Sequence, residues 1–79
     1  MEFRERLRHL RERKGLSQNA LAKQSGVPQS VIQRLESGAR GMEHLSVGVA
    51  RRLAQTLAVS VDHLIGRYEE EGQEGDEGA

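Results

Sequence analysis

The sequence predicts an all-α protein, a compact five-helix bundle within a chain of 79 residues. Three observations carry that expectation. Apolar residues recur at the three- and four-residue spacing of a helix face, as in Phe3, Leu7 and Leu10 or Ala50, Leu53, Ala54 and Leu57. Serines able to cap a helix start stand ahead of three such stretches, at Ser17, Ser46 and Ser60. Glycines able to end a helix follow, at Gly15, Gly26, Gly38 and Gly66.

The first helix is expected over residues 2–14, with Phe3, Leu7 and Leu10 as its inward stripe and Arg4, Arg8, Arg11 and Lys14 around it. Ser17 opens a short second helix whose apolar patch is Leu21 and Ala22, and Gly26 closes it. Pro28 sits where proline is tolerated, in the first turn of a third helix spanning about 28–37. Two short helices joined by a tight glycine-containing turn have helix-turn-helix spacing. Ser46 caps a fourth helix over about 47–58, with Val47, Ala50, Leu53, Ala54 and Leu57 facing inward. Ser60 caps a short fifth helix carrying Val61, Leu64 and Ile65, and Asp62 complements its positive end. Leu64 and Ile65 either complete the core or join Tyr68 in an exposed patch for a second copy.

Wound at about 100° per residue, the third helix separates into two sides. Val31, Ile32 and Leu35 fall on one side, and Gln29, Ser30, Gln33, Arg34 and Ser37 on the other. If the apolar side is buried, the polar side offers amide, hydroxyl and guanidinium groups to solvent. These are the groups that hydrogen-bond base edges in a major groove, although an ordinary solvated face would look similar.

Taken in order, the residues from the first helix to the fifth resemble a known family. They are Leu7, Leu10 and Arg11, the run Gly15-Leu16-Ser17-Gln18, Leu21-Ala22, Gly26-Val27, Ile32, Leu35-Glu36, Ser37-Gly38, Leu53-Ala54, Leu57 and Val59-Ser60. No dipeptide among them is specific, but the ordered set is similar to the phage-repressor-and-Cro class of helix-turn-helix domains, the Xre family, over residues 3 to about 66. The resemblance implies a lambda-repressor-like fold that binds double-stranded DNA. It also implies an ion pair between Arg11 and Glu36 that sets the angle of the recognition helix. The positions matching the family's base contacts are Gln29, Ser30 and Arg34, with Gln33 beside them. Phosphate contacts are expected from Ser17, Gln18, Asn19, Ser37 and Arg40. The segment 39–45 departs from the commonest family pattern, being about three residues longer and lacking the usual proline.

Composition sets the outer bounds. A body of some sixty-five residues buries about 60% of its unfolded-chain surface, enough to fold alone but too little for a large substrate pocket. Cysteine is absent, which removes thiolate chemistry and suits a reducing cytoplasm. No run of eighteen apolar residues exists, and the opening residues alternate charge with apolar groups, so neither a membrane span nor a signal peptide is expected. His9, His44 and His63 stand far apart without the spacing of a metal site, and no nucleophile–base order is visible. No enzyme activity, metal or cofactor is expected.

The formal net charge of zero conceals an asymmetry. Residues 1–66 carry eleven Lys/Arg against six Asp/Glu, and residues 67–79 carry one Arg against six acids. A basic domain over 1–66 followed by an acidic tail over 67–79, expected to be disordered, is the pattern of a polyanion binder with an appended interaction segment. The expected function is sequence-specific DNA binding by a transcriptional regulator, a repressor, acting as a homodimer on a palindromic operator. The alternative is the antitoxin of a toxin–antitoxin pair, whose acidic tail would take a partner protein.

Overall fold

In a computed structural model, residues 2–39, 41 and 45–66 are described. They form five α-helices: α1 Phe3–Arg13, α2 Gln18–Ser25, α3 Gln29–Ser37, α4 Val47–Leu57 and α5 Val61–Ile65. No strand occurs among the described residues. The expected α1 is one residue shorter at each end, because Glu2 and Lys14 serve as caps. At the start, the Glu2 N–H donates to the Glu5 carboxylate at 3.1 Å.

The serines act as the sequence implies. Ser17, Ser46 and Ser60 each accept a hydrogen bond from the backbone N–H three residues on, at 3.0, 3.1 and 3.0 Å. Each bond satisfies one of the N–H groups a helix start leaves unpaired, a contribution of about 1 kcal/mol. Pro28 stands one position earlier than expected, as the N-cap of α3 in an extended conformation. Its carbonyl accepts from the N–H groups of Val31 and Ile32, and its own missing N–H costs nothing there. The α4–α5 connection turns on Ala58, which holds a left-handed φ of 60°.

One core joins all five helices. Leu7 and Leu10 of α1, Leu21 of α2, Ile32 and Leu35 of α3, Leu53 and Leu57 of α4 and Leu64 of α5 are its large members. Val27, in the α2–α3 turn, is buried as well, so the turn is pinned from within. Full burial of each such side chain contributes about 1.5–3 kcal/mol. Helix α3 packs on α1 and α2, α4 on α2 and α5, and α5 returns to α1. The recognition-type pair α2–α3 is thereby held from behind by the other three helices.

Two placements depart from the stripe analysis. Val47 was expected to face inward, yet it is 73% exposed. It shares the angular face of Ala54 but lies in the first turn of α4, where that face opens to the surface. Arg6, which no pattern singles out, is buried. Its guanidinium lies over Gly66, where a Cβ would come within 2.6–2.8 Å of it. Gly66, at φ 91°, thus both ends α5 and leaves room for Arg6.

Candidate nucleic-acid interface

The surface formed by the start of α2, the α2–α3 turn and α3 is built from local rules. Gly26 takes φ 78° and its N–H donates to the Ala22 carbonyl at 2.9 Å, ending α2. The Ser25 hydroxyl then accepts from the Val27 N–H at 3.1 Å, tightening the turn. Helix α3 buries Ile32, Leu35 and Glu36 and half-buries Val31. Gln29, Ser30, Gln33, Arg34 and Ser37 are all exposed. These five side chains form one polar face bearing no acidic group.

Glu36 is the buried acid of α3, and its surroundings explain how the helix is held. The Arg11 Nε donates to Glu36 Oε2 at 2.7 Å and a terminal guanidinium nitrogen donates to Oε1 at 2.9 Å. This two-pronged contact is among the stronger and more directional ion pairs available to a side chain. The other terminal nitrogen of Arg11 donates to the Leu16 carbonyl at 2.8 Å, and the Gln18 amide donates to Glu36 Oε1 at 3.1 Å. One carboxylate therefore ties α3 to α1 and to the first residue of α2. The hydrogen bond to Glu36 holds the Arg11 guanidinium above its already high ordinary pKa, partly opposed by burial and assisted by the charges of Glu36 and Glu12.

The residues expected at phosphates fall into three situations. Ser17 has its hydroxyl oxygen committed to the cap, and exposed Asn19 stands beside it at the α2 start. Gln18 has one amide donor on Glu36, a role that neither its polarity nor its position disclosed. Ser37 donates to the Arg34 carbonyl at 3.1 Å and accepts from the Ala39 N–H at 3.2 Å, closing the end of α3. Arg40 lies outside the described residues, as do Met42, Glu43 and His44.

The proposed contact for a second copy changes composition. Leu64 is fully enclosed and has no surface to offer, because α5 packs it against α1 and α4. Ile65 is half-buried, and Tyr68 and the acidic segment lie outside the described residues. Among the described residues, an exposed apolar groove is lined by Leu45, Val47, Ala50, Arg51, Val61 and Ile65. Helical periodicity could not separate Val47 from Leu64, since both sit on apolar stripes. Among the described residues no group of three His, Asp or Glu is placed to hold a metal ion, and no helix is long and apolar enough to cross a membrane.

Comparison with known proteins agrees with this fold. A family model for a helix-turn-helix domain matches residues 2–64. The crystal structure of the restriction-modification controller protein C.AhdI from Aeromonas hydrophila is similar, with a TM-score of 0.69 and 39% sequence identity over 78% of this chain and 89% of that one. No curated protein matches the chain.

Proposed function

Since the chain belongs to the helix-turn-helix domain family, in its phage-repressor-and-Cro (Xre) type, we propose that it is a sequence-specific transcriptional repressor that lays α3 in the major groove of a palindromic operator. The observation that carries this reading is the exposed, acid-free polar face of α3, anchored from behind by the Arg11–Glu36–Gln18 cluster. Gln29 and Gln33 suit the N6 and N7 positions of adenine, and Arg34 suits O6 and N7 of guanine. Ser30 lies between them. Asn19, the free valences of Ser17, Gln18 and Ser37, and Arg40 supply phosphate contacts that set the register. One such helix reads half an operator, so two copies act together. They meet over the groove of Leu45, Val47, Val61 and Ile65, and α3 stays uncovered because it contributes nothing to that groove.

The likeness to a restriction-modification controller favours gene control over the antitoxin reading, and it favours a restriction–modification gene pair as the regulated target. Selection of binding sites from random DNA, followed by comparison of two variants, tests the assignment. Arg34→Ala should lose about 1–3 kcal/mol on the selected site and relax discrimination mainly at one base pair per half-site. Arg40→Ala should weaken all sequences alike and reduce the salt slope by about one unit. Equal losses for Arg34→Ala on selected and scrambled DNA would make Arg34 a backbone contact.

A further inference from the structure

A second site lies away from the polar face of α3. The last turn of α1, the end of α4 and the first half of α5 surround a cavity of about 380 Å³. Leu10, Leu57 and Val59 form its floor, and Arg13, Lys14 and His63 stand around its mouth. None of its lining residues belongs to α2 or α3, and no acidic side chain is among them. The volume falls in the range of small-molecule sites, and the lining mixes apolar side chains with charged ones in similar measure.

The charges decide which class of molecule fits. Arg13 and Lys14 are adjacent at the end of α1, and both side chains are exposed, so their charges are available at the mouth. The helix end contributes a partial negative charge of about one half, which two full positive charges outweigh. Arginine presents a planar fork matched to carboxylate and phosphate oxygens, and lysine adds a mobile point charge. The wall also contains Ala58, which ends α4. We propose that this cavity binds a small organic anion, with an aromatic or aliphatic body on Leu10, Leu57 and Val59 and a phosphate or carboxylate against Arg13 and Lys14.

The test is an NMR titration of the full chain with phenyl phosphate and, separately, inorganic phosphate, at fixed ionic strength. Phenyl phosphate should shift the Ala58 and Val59 amides and the His63 ring saturably, with a dissociation constant in the millimolar range expected of about eleven heavy atoms. Inorganic phosphate, lacking the apolar body, should bind several-fold more weakly. The variant R13S/K14S changes exposed residues at the end of α1, so its unfolding midpoint should fall only slightly, by the loss of two cations facing the helix end, while phenyl phosphate affinity falls about tenfold or more. Linear, unsaturating shifts, equal affinity for the two phosphates, or undiminished binding by R13S/K14S would each overturn the proposal. Two further arms separate other occupants of the same charges. Neutralising part of the acidic segment with E69Q/E70Q/E71Q should leave the affinity within about twofold, whereas a several-fold rise would assign the cavity to the chain's own carboxylates and overturn a free ligand. If R13S/K14S weakened DNA binding while the parent chain took up no phenyl phosphate, the pair would be a DNA-backbone contact.

Discussion

At the scale of single residues, Glu36 concentrates the most consequences. Its carboxylate receives three donors, two from Arg11 and one from Gln18, with only 4% of its side chain exposed. Removing one partner of such a pair strands the other, and the desolvation already incurred is no longer offset. Glu36→Ala should therefore cost about 3–5 kcal/mol, well above an exposed change on the same helix such as Gln33→Ala. A double-mutant cycle with Arg11 measured by denaturant unfolding should show coupling, and its absence would remove the pair from the account of how α3 is oriented. The pH dependence has a definite sign. Because the folded state holds Arg11 above its ordinary value, the stabilisation from its charge is present at neutral pH and fades as strongly alkaline pH deprotonates it.

At the scale of elements, the helices begin well and one of them ends awkwardly. The three serine caps are interchangeable in kind, and each start is satisfied in the same way. Most helix ends use glycine in the left-handed region, but α4 ends on Ala58 at φ 60°. A Cβ in that conformation costs about 1–2 kcal/mol, and glycine removes the cost while adding entropy to the unfolded chain. Ala58→Gly should thus raise stability by about 0.5–1 kcal/mol, read as a shift in the urea midpoint with an unchanged slope. A lowered midpoint would mean that the alanine methyl makes compensating contacts. Gly66 shows the opposite case, because φ 91° and the Arg6 guanidinium together leave no place for a side chain.

At the scale of the whole molecule, two features concern what the bundle meets. Val47 is 73% exposed in an apolar groove whose charged member is Arg51, and the proposed function has a second copy cover it. Val47→Glu should leave the monomer fold intact, since no core contact is lost, and should shift sedimentation from dimer toward monomer. It should also weaken operator binding far more than binding to a single half-site. A variant that remained dimeric would move the interface elsewhere. The second feature is charge. Six acids in residues 67–79 are tethered to a body in which basic residues outnumber acids by five. Ending the chain after Gly66 should tighten non-specific DNA binding at low salt, and the gain should shrink as salt rises. Unchanged affinity would assign the acidic segment to another partner.

Much of this protein follows from local chemistry alone. The five helices, the serine starts of three of them and most of their glycine ends were readable because capping and periodicity depend on residues within a turn or two of each other. The same wheel set Gln29, Ser30, Gln33, Arg34 and Ser37 apart from Val31, Ile32 and Leu35, since angular position on a helix is a property of sequence number. Periodicity names a face but not what stands opposite it. Hence Val47 and Leu64, alike on paper, ended as an exposed groove residue and a sealed core residue. The placement of Gln18 on Glu36, the burial of Arg6 above Gly66 and the cavity mouth of Arg13 and Lys14 likewise join residues far apart in the chain. No single stretch encodes such meetings; they exist only once the core has brought α1, α3 and α5 together, because contact depends on the packing of all the helices at once.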